Sequence, residues 1–186
     1  MKTRIFSSLV IVLIVFQSFG QELSPYVKIG ESTLPIEEVA KKVTAVLQAD
    51  SYTVLGSYTP AQNKNLKVIA FTRDDLKNTV VKVTDRGALA ATFKVGMVET
   101  NGKVVVSYTN PDYILRAYLG SNYGTFISTF KKFSEDLKTT FAPIGTDFTP
   151  FGGTVKADKL KKYHYKIMMP YFTDPVHLNV YASFEV

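Results

Sequence analysis

The dipeptide Asn101-Gly102 lies between two runs of strand-forming residues, Ala88 to Val98 and Lys103 to Tyr108, and it constrains the fold more than any other feature. Asn and Gly accept the positive φ angles of a type I′ turn, whose twist matches that of paired strands, so an antiparallel hairpin is predicted. Phe93, Val95 and Met97 alternate with Thr92, Lys94 and Gly96, which sets one face of the hairpin on a core and leaves the other more polar. One side of the sheet should be covered by helices.

The flanking segments supply those helices and further strands. Pro35 suits the start of a helix, Glu37 and Glu38 complement its dipole, and Ile36, Val39, Val43, Val46 and Leu47 form one apolar stripe. Tyr52 to Tyr58 and Leu66 to Phe71 read as two strands of a second hairpin, separated by the turn-forming stretch Thr59 to Asn65. Thr72 followed by Asp75 resembles a capping box opening a weak helix through Leu76, Val80 and Val83, ended by Asp85-Arg86-Gly87. Asn110-Pro111 supplies a cap and a first-turn proline for a short helix through Leu119, closed by Gly120. Phe126, Phe130, Phe133, Leu137 and Phe141 then recur at helical spacing, which predicts a longer helix with a core-facing stripe. Pro143 to Thr154 reads as a long loop, Lys156 to Lys162 as one helical turn, and Tyr163 to Met169 and Val176 to Ser183 as closing strands.

At the amino end, Lys2 and Arg4 precede an apolar stretch from Ile5 to Phe16, and the small residues Ser18 and Gly20 come just before Gln21. This is the pattern of a secretory signal peptide over residues 1–20, with the mature chain starting at Gln21. The apolar stretch falls short of the ~20 residues needed to span a bilayer. Periplasmic or secreted localisation is expected, with no integral membrane segment after cleavage. The 186-residue chain has no cysteine, which excludes disulfides, thiol catalysis, cysteine metal sites and a lipid anchor on cysteine. The division expected is 1–20 signal peptide, 21–34 irregular lead and 35–186 a single α+β domain, in two layers, with a mainly antiparallel sheet packed on helices.

The strand Val104-Val105-Val106-Ser107-Tyr108 running into Thr109-Asn110-Pro111 and a short helix resembles the bacterial domain-of-unknown-function family 302. Tyr163-His164-Tyr165 followed by Met169-Pro170-Tyr171-Phe172 is similar to exported relatives of that family. The resemblance spans most of residues 36–183. It implies a curved antiparallel sheet in a TATA-binding-protein-like fold and brings no activity, and a shared fold does not imply DNA binding in an exported chain. No nucleic-acid partner is expected.

Catalytic patterns are sparse. His164 and His177 lack metal-binding spacing, no G-x-S-x-G is present, and Phe151-Gly152-Gly153 lacks the lysine of a phosphate loop. No metal or cofactor is expected. The densest mixture of aromatic and polar side chains, Tyr108, Asn110, Tyr113, Arg116, Tyr118 and Tyr123, surrounds the strand-to-helix junction, and a second set, with His164 and Tyr165, lies on a late strand. Tyr offers an apolar face and a polar end, and Arg116 or His164 suits an anionic group. Asn110, Tyr113, Arg116, His164 and Tyr165 are therefore predicted to border one pocket for a small molecule or peptide, bound without catalysis. Two alternatives stand beside that reading: an enzyme, a hydrolase for example, using His164 as acid or base, and a basic envelope-surface module built on Lys156, Lys159, Lys161, Lys162 and Lys166.

Overall fold

The Asn101-Gly102 turn closes the predicted hairpin with φ angles of 51° and 71° at the two residues, as a type I′ turn requires. It joins two strands of a six-stranded open sheet in a computed structural model that describes residues 21–84 and 87–160. In chain order the elements are β1 (Glu22–Leu23), β2 (Tyr26–Ser32), α1 (Ile36–Ala49), β3 (Thr53–Tyr58), β4 (Leu66–Thr72), α2 (Asp74–Val80), β5 (Phe93–Thr100), β6 (Lys103–Thr109), α3 (Pro111–Leu119), α4 (Ile127–Phe141), β7 (Thr149–Phe151), β8 (Val155–Lys156) and the single turn α5 (Ala157–Leu160). The large sheet runs β3-β4-β5-β6-β2-β7, with every neighbouring pair antiparallel. β1 and β8 form a separate two-stranded ribbon. The architecture is α+β in two layers, as the sequence predicts.

One face of the sheet carries the core. Ile69, Phe71, Phe93, Val95, Met97, Val104, Val106 and Tyr108 alternate inward along β4, β5 and β6 and meet the buried stripes of α1 and α4. Phe130, Phe133, Leu137 and Phe141 of α4 are fully buried, and Phe93 packs on Phe133 with ring centroids 5.2 Å apart. The other face stays open. Tyr26, Tyr58, Val98 and Phe151 are exposed there, and Tyr26 and Phe151 cover each other at 5.5 Å.

Four local expectations are corrected. The stretch Gln21 to Leu34 is not an irregular lead: Tyr26–Ser32 is the fifth strand of the sheet, inserted between β6 and β7, with a bulge between Lys28 and Gly30. Val27 and Ile29 are its inward residues, a pattern too short and too interrupted to signal a strand before its partner is known. Part of the predicted loop Pro143 to Thr154 is strand β7, which hydrogen-bonds to β2. The first residues of Ala88 to Val98 form a 3₁₀ turn at Gly87–Ala91, so β5 begins only at Phe93. Thr72 does not cap α2; Arg73 occupies the cap position, the Thr72 hydroxyl donates to the Ala91 carbonyl at 2.6 Å, and Asp75 is bound by Arg73. The predicted strands Tyr163 to Met169 and Val176 to Ser183 lie outside the described residues.

Candidate functional site

The junction from β6 into α3 is shaped by Asn110. Its Oδ1 accepts the Asp112 N–H at 3.1 Å as a helix cap, and its Nδ2 donates to the Ser24 carbonyl at 2.8 Å. Its own backbone N–H donates to the Pro25 carbonyl at 2.8 Å. All three bonds are structural, and the two to Ser24 and Pro25 fasten the segment before β2 to the start of α3. Pro111 fills the first helical position, where no N–H is needed, and Gly120 ends the helix with a φ of 54°. A 3₁₀ stretch, Gly120–Phe126, then turns the chain back toward α4 and carries Tyr123 beneath α3.

Tyr123 joins two charged groups of α3. Its hydroxyl donates to Asp112 Oδ1 at 2.8 Å, while the Arg116 guanidinium carbon stands 4.1 Å from its ring centroid. Tyr123 is only 3% exposed, and burial, reinforced by its bond to the Asp112 carboxylate, raises its hydroxyl pKa well above the ordinary tyrosine value. Tyr123 therefore stays a neutral donor. The Arg116 Nε is buried with no hydrogen-bond partner, and no ion pair among the described residues includes Arg116.

Two cavities lie on either side of this arrangement. The larger, about 800 Å³ and open to solvent, is bordered by Gln21, Arg116, Ser121, Tyr123, Lys156 and Asp158, with Gly120, Gly124, Ile127 and Ala157 completing the wall. The smaller, about 220 Å³, lies over the end of β6 and is bordered among others by Gln21, Glu22, Tyr108, Asn110, Asp112, Ser134 and Lys138. Burial pushes the Tyr108 hydroxyl pKa up to about 12, helped by the nearby Asp112 charge.

Of the residues predicted to meet at one pocket, Arg116 borders the larger cavity and Asn110 the smaller, while Tyr113 borders neither. His164 and Tyr165 lie outside the described residues. Asp112 was not singled out by the sequence, and Lys156 only as a member of the basic cluster. The spacing of Asp112 and Arg116, one helical turn apart on α3, was a readable signal for the first; Lys156 reaches the cavity only because β8 pairs with β1. No group of three or more His, Asp or Glu residues among the described residues could hold a metal ion.

No protein-family model and no curated protein matches the sequence. Three solved chains match the structure. One is the crystal structure of an uncharacterized conserved protein DUF302 from Bacillus stearothermophilus, with 11% identity and a TM-score of 0.46, covering 67% of this chain and 96% of that one. The chain resembles a DUF302 protein.

Proposed function

We propose that the protein is an exported domain that binds a small molecule or peptide without catalysis, and that Arg116 holds an anionic group of the ligand in the larger cavity. One observation carries this reading. The Arg116 guanidinium carbon stands 4.1 Å from the Tyr123 ring centroid, its Nε is buried without a hydrogen-bond partner, and no carboxylate among the described residues pairs with it, which leaves its charge for an acceptor such as a carboxylate. Lys156 adds a second positive charge at the cavity wall, against one carboxylate among the described residues, that of Asp158. The leader of residues 1–20 supports export on sequence grounds.

Calorimetric titration with acetate, pentanoate and a short peptide bearing a free carboxyl terminus tests the reading. Binding that is lost in Arg116→Gln while the fold persists supports it. Equal affinity of wild type and Arg116→Gln for every carboxylate, or no binding of any, overturns it.

A further inference from the structure

Asp112 and Arg116 stand one turn apart on α3, the spacing at which opposite charges usually pair, yet they do not form an ion pair. Tyr123 separates them. Its hydroxyl satisfies one oxygen of Asp112 and its ring supports Arg116, so each charge keeps an unused side, and the two sides border different cavities. Gln21 borders both.

The smaller cavity is rich in acceptors. Asp112 accepts from Tyr123 through Oδ1 and has no cationic partner among the described residues. Tyr108 is 2% exposed and borders this cavity. The Ser134 Oγ is buried without a partner. Glu22 brings a second carboxylate to the rim and Lys138 the one opposing cation there among the described residues. The α3 amino end, which would favour an anion, already has the Asn110 Oδ1 and the Asp112 carboxylate on it. An alkylammonium group has three donors and no acceptor, and Asp112, Tyr108 and Ser134 are oxygen-bearing side chains that all border this cavity.

We infer that the ligand is zwitterionic: its carboxylate is held by Arg116 in the larger cavity and its ammonium group by Asp112 and the Tyr108 and Ser134 hydroxyls in the smaller one. The inference rests on the carboxylate reading above and adds the amine. A two-charge ligand bound this way spans the Tyr123 partition, so affinity depends on the separation of its charges. Amino acids with the amine moved progressively along the chain are the class to examine.

Titration of the purified protein with glycine, 4-aminobutyrate, 5-aminopentanoate and 6-aminohexanoate, beside pentanoate and pentylamine, decides it. At least one zwitterion is expected to bind about tenfold more tightly than pentanoate and pentylamine, since a charge-assisted hydrogen bond is lost with either charge. Asp112→Asn should erase that preference while leaving pentanoate binding in place. Because Asp112 also holds Tyr123, Tyr108→Phe serves as the second variant: it removes one hydroxyl from the cavity wall while keeping the buried ring, should leave the protein folded, and should weaken the zwitterion without affecting pentanoate. If pentanoate binds as tightly as every zwitterion, or if Tyr108→Phe and Asp112→Asn both leave the preference intact, the inference fails and the carboxylate reading stands. If no compound in the series binds, both fail.

Discussion

The Arg73 guanidinium reaches Asp136 with Nη1 2.9 Å from Oδ2, joining the start of α2 to the middle of α4. The same guanidinium clasps Asp75 through Nε and Nη2 and lies over the rings of Tyr52 and Phe133, at 5.1 and 4.9 Å from their centroids. One side chain thus couples β4, α2, α4 and the residue that leads into β3. Burial opposes ionisation of both carboxylates, but hydrogen bonds and charge from Arg73, joined at Asp136 by Lys132, outweigh it and hold both pKa values below the ordinary aspartate value.

A carboxylate whose pKa is depressed on folding stabilises the native state above its unfolded pKa, near ~3.9, and loses that contribution as pH falls through the folded value. Stability is therefore expected to fall below about pH 4, and Arg73→Met should flatten that fall. At neutral pH the variant should lose about 2 kcal/mol, from the cation–π contacts and the partly exposed ion pairs together. Urea unfolding of both proteins between pH 3 and 7 checks this, and parallel pH profiles would refute it.

Phe130→Ala and Phe133→Ala should each cost about 3–5 kcal/mol, because both rings are fully buried against the sheet and their removal leaves a cavity. Denaturant titration measures the loss. A cost under about 1 kcal/mol in either variant would show that the α4 stripe is not core.

Gly145→Ala is expected to destabilise by about 1–3 kcal/mol although it adds only one methyl group. An added Cβ would lie 2.5 Å from the Ile29 carbonyl oxygen and 3.1 Å from the Gly30 Cα, both backbone atoms of the bulged strand β2, so the strand itself would have to move. Gly102→Ala supplies the contrast. Nothing crowds a Cβ there, and its cost should come from the φ of 71° alone. Thermal melts of the two variants separate crowding from backbone strain.

Asn110→Ala should lower stability by about 1–2 kcal/mol with or without ligand, since the side chain caps α3 and bonds to the Ser24 carbonyl. Unfolding curves of the variant, taken with and without pentanoate, should shift in parallel with those of the wild type. A variant as stable as wild type would mean that these two bonds contribute nothing net.

Expressed with its leader in a secreting bacterium, the protein should be recovered with Gln21 at its amino terminus. Intact-mass measurement reads this directly, and a membrane-bound product retaining residues 1–20 would refute the export proposal.

The local code of the sequence settled whatever depends on nearest neighbours. Asn101-Gly102 specified a turn because few residues accept its φ angles, Asn110-Pro111 specified a helix start because cap and proline act within one turn, and the α4 phenylalanines specified a buried face because burying them requires helical periodicity. Those segments together gave the α+β class. Tertiary structure decided the rest. Tyr26–Ser32 becomes a strand because β6 and β7 hydrogen-bond to it from both sides, and such pairing between residues far apart in the chain leaves little trace in a seven-residue run. The site divides in the same way. Arg116 stood out by residue type, as a cation among aromatic rings, but its place on the Tyr123 ring, the isolation of Asp112 from it and the arrival of Lys156 at the cavity all follow from how the Gly120–Phe126 turn and the β1–β8 ribbon fold back on α3. Chain direction through such a turn is set by packing against the whole core, and no short stretch of sequence encodes it.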